Sequence, residues 1–256
     1  VQVFWLIWIF SMICALSVIP LQYPKLKQQT ELFRMAFPGR KIMSAKVMMV
    51  ITLVQLYVFL GISTFVGLRI IPDTQLDVQL LDVWHTGTSI PTSMTVAWGM
   101  SALLGVVMGL LLECVDQLYY QPRLPRKRNT EEPKSTDGLW ASLYGGVCEE
   151  ILMRLGVMSV IVWVAGLAGL GMFAYWLGII LSALVFGAAH LPILFQDYGN
   201  SPIVIQRGLV LNGMAGAMFG WLYWEYGLEA AIISHISTDL IYHVVIRKIM
   251  RKQVHT

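Results

Sequence analysis

The chain has 256 residues, 57% of them hydrophobic and only 13% charged, with a net charge of +3. Soluble domains carry about 25% charged residues, and a mean hydropathy of +0.66 points the same way. This excludes an ordinary soluble domain and places the chain in a membrane. Cys14, Cys114 and Cys148 lie in or beside apolar segments without CxxC spacing, which argues against a disulfide framework or a thiolate zinc site.

A bilayer core takes about 20 mainly apolar residues per helix. Seven stretches meet that length: approximately 2–20, 47–71, 94–114, 139–166, 172–195, 203–225 and 228–246. The first residue is Val, so a native start is expected upstream. The segment 21–46 mixes Lys25, Lys27, Arg34, Arg40, Lys41 and Lys46 with Leu21, Tyr23, Leu32, Phe33, Met35 and Phe37. That pattern predicts an interfacial helix, bounded by Pro24 and Pro38. The loop 72–93 carries Asp73, Asp77 and Asp82 without Lys or Arg, and 120–138 reads as a mobile basic loop. The expected architecture is all-α: a polytopic integral membrane protein forming a single membrane domain over 1–256, with its motif-bearing core in 139–246.

Positive charge orients the chain. Basic 21–46, basic 120–138 and the tail with Arg247, Lys248, Arg251 and Lys252 are expected on the cytoplasmic side, and 72–93 outside. Seven spans then put the N-terminus outside. Beside membrane spans, the basic clusters suit loop orientation and anionic lipid heads better than nucleic acid.

Ionisable residues inside spans are expensive and mark functional sites. The fourth span contains Glu149, Glu150 and Arg154, the fifth His190, and the seventh His235 and Asp239. At the helical rise, Glu149 lies roughly 15 Å, His190 about 8 Å and Asp239 about 10 Å from the inner face, so one pocket in the cytoplasmic half can hold them all. Glu150 and Arg154 are four apart and can pair, as are His235 and Asp239, and Phe186 and His190. Adjacent Glu149 and Glu150 point about 100° apart, so one can face the pocket while the other pairs with Arg154.

Each feature alone has a structural reading: an intrahelical ion pair, a packed histidine, an oriented imidazole. Their conjunction on three spans favours a site. Arg69, Glu113, Glu225 and Glu229 sit at span ends, where the interface accounts for them. Arg207 reads as an interface anchor or a pocket-rim cation, Asn212 as a packing amide, and His243 as peripheral; His85 and His255 fall in loop and tail.

Two chemistries are open on these residues by themselves. Glu149, His190, His235 and Asp239 could bind a divalent metal such as zinc or manganese without an HExxH motif. Intramembrane carboxylates and imidazoles also build proton paths in transporters, although no inverted repeat is visible here.

The motifs Glu149-Glu150-xxx-Arg154, Phe186-xxx-His190 and His235-xxx-Asp239 resemble, in order, those of the CAAX-protease and bacteriocin-processing (Abi) family, which includes the type II CAAX prenyl endopeptidases. The resemblance covers about 140 to 240. It implies a glutamate-dependent intramembrane protease without a cofactor. Glu149 would be the general base, assisted by His190. His235 and residue 239 would stabilise the oxyanion, and Glu150 and Arg154 would hold the site together. The implied substrate is a prenylated CAAX peptide that loses its last three residues. In a prokaryotic member, which a short chain without an evident extra domain suits, leader peptides or other membrane-associated precursors are alternatives. A scaffold or immunity role also remains open within that family.

One position departs from the pattern: Asp239 stands where the prenyl endopeptidases usually have Asn. An ionised Asp cannot donate to an oxyanion. Asp239 must therefore either be protonated or play another part; the expected part is to orient His235 and stabilise its charged form, which would leave His235 as the donor.

Overall fold

The structure is a computed structural model and describes residues 2–128 and 136–245. The middle of the basic 120–138 loop and the tail with Arg247, Lys248, Arg251, Lys252 and His255 lie outside the described residues, as do the side chains of Asp82 and His85. Among the described residues every element is helical. In order these are α1 (Gln2–Ala15), α2 (Val18–Ala36), α3 (Ala45–Ile70), α4 (Gln79–Thr86), α5 (Thr92–Val115), α6 (Asp137–Leu143), α7 (Ser159–Leu167), α8 (Phe173–Ala189), α9 (Leu191–Tyr198) and α10 (Pro202–Asp239). π-helical turns extend α5 through Asp116–Tyr120, connect α6 to α7 through Tyr144–Glu149 and Ile151–Met158, and extend α10 through Leu240–Val245.

Five stretches are long and apolar enough to cross a membrane: Ala45–Asp73, Thr92–Arg123, Asp137–Leu167, Phe173–Tyr198 and Pro202–Val244. The pair α1 and α2, bent by 44°, makes a sixth if it is one span. Large apolar side chains such as Val54, Val58, Phe65, Leu103, Val107, Ile180 and Leu184 stay exposed on these helices. A surface this apolar over several helices suits lipid rather than water. The chain is a multi-pass membrane protein.

The seven expected spans and these six stretches differ at Gly227, which has the non-helical angles φ 81° and ψ 174° inside α10. In an unbroken helix Phe219 and His235 would stand about 24 Å apart, yet their rings stack with centroids 4.5 Å apart. α10 is therefore a hairpin of two antiparallel arms, 202–226 and 228–239, which correspond to the expected stretches 203–225 and 228–246. A side chain at φ 81° would be strained, so glycine suits the corner. The backbone N–H of Leu228 donates to the Asp77 carbonyl at 3.0 Å, tying the corner to the 72–78 loop.

Two expectations change. Pro24 lies inside α2 rather than bounding it, and α2 runs on to Ala36, just before Pro38. Glu229 is buried rather than at an interface, because its carboxylate caps α4, accepting from Gln79 N at 3.1 Å and Leu80 N at 2.8 Å.

The helices meet through small residues, as membrane helices do where no water drives apolar faces together. A Cβ on Gly105 would collide with the Ser234 carbonyl, and one on Gly109 would stand 2.8 Å from the Thr238 carbonyl. α5 thus lies flush against the second arm. Gly187 likewise brings α8 close to the backbone of Gly208 and Leu209 on the first arm, where a Cβ would stand 3.1 Å from the Leu209 Cα. The hairpin is consequently clamped between α5 and α8, and its inner face meets the π-helical segment that carries Glu149 and Glu150.

Candidate active site

Glu150 and Arg154 are fully buried and pair at 2.9 Å, Nε to Oε2. The other carboxylate oxygen, Oε1, lies 2.8 Å from Nδ1 of His235 on the second hairpin arm. A carboxylate accepts, so Nδ1 carries the hydrogen and Nε2 is turned to the opposite side. Phe219 stacks on the His235 ring, and Phe186 meets the same ring edge-on at 5.8 Å. The Arg154 guanidinium lies 5.5 Å from the Phe186 ring centroid and 5.9 Å from that of Phe219. One buried carboxylate therefore anchors both the cation and the imidazole, while two aromatic rings wall them off.

Glu149 points the other way, as adjacency on a helix requires, and is partly exposed. Its Oε2 lies 3.9 Å from Nε2 of His190. His190 sits at the break between α8 and α9, where its Nδ1 lies 2.8 Å from the Phe186 carbonyl. A carbonyl only accepts, so Nδ1–H donates to it and Nε2 is left facing Glu149. At 3.9 Å the pair is too long for a direct hydrogen bond and has room for a bridging water.

Glu149, His190, His235 and Asp239 all line one cavity of about 330 Å³. Residues 134–241 match a family model described as "Type II CAAX prenyl endopeptidase Rce1-like". This segment is similar to the Rce1-like family. No curated protein and no solved structure matches the chain. The Rce1-like segment contains all three motifs, and the family is one of proteases. Asp116, Lys127, Tyr242 and His243, which bear on the cavity, lie outside it.

Asp239 is placed differently from the expectation. Its Oδ2 stands 3.8 Å from His235 Nε2, too far for a hydrogen bond, and its Oδ1 stands 4.0 Å from His243 Nε2. Glu150, not Asp239, orients His235. Asp239 instead faces the cavity side of the ring, across a gap kept open by Gly145. A Cβ on Gly145 would lie 3.1 Å from both Asp239 Oδ2 and His235 Nε2. His243, expected to be peripheral, also lines the cavity.

Arg207 lines the cavity, as a pocket-rim cation would, and is held there by an ion pair. Its Nε and Nη2 donate to the two oxygens of the nearly buried Asp116, each at 2.7 Å, and Tyr242 OH donates to Asp116 Oδ2 at 3.0 Å. The sequence carries no signal for Asp116, because the apolar stretch 94–114 ends before it and its period does not show that the helix continues through a π-helical turn. Asn212 does bond along its own helix, to the Gly208 carbonyl at 2.9 Å, but also lines the cavity, as does Tyr144.

The four candidate residues form two pairs, Glu149 with His190 and His235 with Asp239. Among the described residues no three His, Cys, Asp or Glu side chains are grouped so as to hold a metal ion.

The cavity belongs to the basic end of the bundle. Leu21 of α2 lines it, and Lys127 of the basic loop both lines it and pairs with Asp197 at 3.6 Å. The acidic 72–78 loop lies at the opposite end, against the hairpin corner.

Proposed function

We propose that the protein is an intramembrane endopeptidase that removes the C-terminal tripeptide following a prenylated cysteine, using water activated by Glu149. The observation that carries this reading is the 3.9 Å gap between Glu149 Oε2 and His190 Nε2 in a cavity whose other wall is His235. Its substrate class rests on the family match.

Glu149 accepts a proton from a water held between it and His190, and the hydroxide attacks the scissile carbonyl. The developing oxyanion takes a hydrogen bond from His235, which as an imidazolium presents Nε2–H to the cavity while Nδ1–H stays on Glu150. Asp239 in its protonated form supplies a second donor, the part that Asn would play by its amide. Collapse of the intermediate breaks the C–N bond, and the departing amine takes the proton from Glu149. The products are a new carboxylate on the prenylated cysteine and a free tripeptide. Donors fixed in a site withdrawn from bulk water act strongly on developing charge.

The basic end of the bundle is the cytoplasmic end on this reading, which puts the N-terminus outside in a prokaryotic cell membrane, with anionic lipids around α2. The mechanism uses no cofactor. The deciding experiment is cleavage of a fluorogenic farnesylated CAAX peptide by purified protein and by Glu149→Gln, with and without a chelator. Activity lost in the variant and unchanged by chelator is expected. Chelator inhibition reversed by added zinc or manganese would replace the mechanism with a metal-dependent one. Turnover of a leader peptide but not of the prenylated one would replace the substrate.

A further inference from the structure

The Asp116–Arg207–Tyr242 cluster lies beside the proposed catalytic residues and takes no part in the water chemistry. It joins three elements: the π-helical end of α5, the first hairpin arm and the π-helical end of the second arm. Asp116 is 2% exposed, and the Arg207 side chain 13%. Asp116 occupies Nε and one hydrogen of Nη2, and the second Nη2 hydrogen goes to Tyr242 OH at 3.1 Å. The guanidinium plane is thereby fixed. Nη1, with two hydrogens, is used by neither Asp116 nor Tyr242, and Arg207 lines the cavity.

We propose that Arg207, held by Asp116 and Tyr242, receives the free α-carboxylate at the C-terminus of the peptide substrate. The proposal rests on the endopeptidase reading above. Tyr242 lies three residues beyond Asp239, so the cluster stands about 4.5 Å further along the helix axis toward the basic end. The close packing of Gly187 on Gly208 and Leu209 sets Arg207 near the level of His190. A tripeptide beyond the scissile bond spans at most about 10 Å when extended. A cleaved carbonyl near Glu149 and a terminal carboxylate at Arg207 therefore suit one short peptide in one cavity. A fixed, partly dehydrated guanidinium is well suited to a carboxylate, and the Lys127 ammonium, paired with Asp197, lines the same cavity.

The test compares two farnesylated peptides that differ only in ending as a carboxylate or a carboxamide, cleaved by the full chain. The wild type should prefer the acid by roughly tenfold or more in kcat/KM, mostly through KM. Arg207→Gln, and Arg207→Gln with Asp116→Asn so that no charge is stranded, should bring the ratio near one. Because the ratio is taken within each variant, a smaller folded fraction scales both rates alike. Equal cleavage of acid and amide by the wild type, or an undiminished ratio in both variants, overturns the proposal while leaving the endopeptidase reading intact. Cleavage of neither peptide by the wild type removes that reading and the proposal together.

Discussion

Glu150 Oε1 and His235 Nδ1, 85 residues apart in the chain, lie 2.8 Å from one another in a fully buried contact. The bond joins the π-helical segment to the second hairpin arm and leaves Nε2 of the histidine as the cavity-facing atom. It also divides the paired glutamates: Glu150 has both oxygens committed inside the protein, whereas Glu149 has its carboxylate at the cavity.

Removing the two carboxylates should therefore have different consequences. Glu149→Gln should lower kcat by about 10²- to 10⁴-fold, the usual range for loss of a general base, with an unchanged thermal transition in detergent. Turnover near the wild-type rate would eliminate Glu149 as the base.

Glu150→Ala strands the Arg154 guanidinium, whose side chain is 0% exposed. Breaking a buried pair from one side costs about 3–5 kcal/mol, so the variant should unfold at clearly lower temperature as well as lose activity. Glu150→Gln should recover part of the stability but not the activity, since an amide supports an imidazolium poorly. A Glu150→Ala protein as stable as the parent would contradict the buried contact.

The pH dependence tests Asp239. If its protonated carboxyl donates to the oxyanion, the donor is present at lower pH and is lost as pH rises and the group ionises. Wild-type kcat should therefore fall on an alkaline limb that Asp239→Asn lacks, because an amide donates at every pH. Superimposable alkaline limbs in the two proteins would rule out this role.

Gly145→Ala probes the gap between His235 and Asp239. The new Cβ would stand 3.1 Å from Oδ2 and from Nε2, tighter than ordinary contact. Displacements of about 1 Å can cost on the order of 10²-fold in rate, so a large fall in kcat with little change in thermal stability is expected. Unchanged kinetics would mean that nothing reacts in that gap.

Glu229→Ala serves as the contrast. It removes the cap of α4 at the other end of the bundle and should cost about 1 kcal/mol of stability, while kcat/KM for the prenylated peptide stays within twofold or so of the parent.

Much of this was legible in the sequence by itself. Long apolar runs determined that the chain is helical and multi-pass, because a backbone in lipid must satisfy its own hydrogen bonds. Charge is so costly there that Glu149, Glu150, Arg154, His190, His235 and Asp239 stood out against their surroundings. Spacing of four also identified the Glu150–Arg154 pair, since that contact lies within one helical segment. Partners on different helices were decided only by the tertiary structure. Whether His235 meets Glu150 or Asp239 depends on how the second arm is rotated against the π-helical segment, which no periodicity encodes. The same holds for Asp116 and Arg207, joined across helices 91 residues apart, and for the turn at Gly227 that lays Phe219 on His235. Sequence spacing reports the faces of one helix; the packing of glycine against neighbouring backbone sets which faces meet.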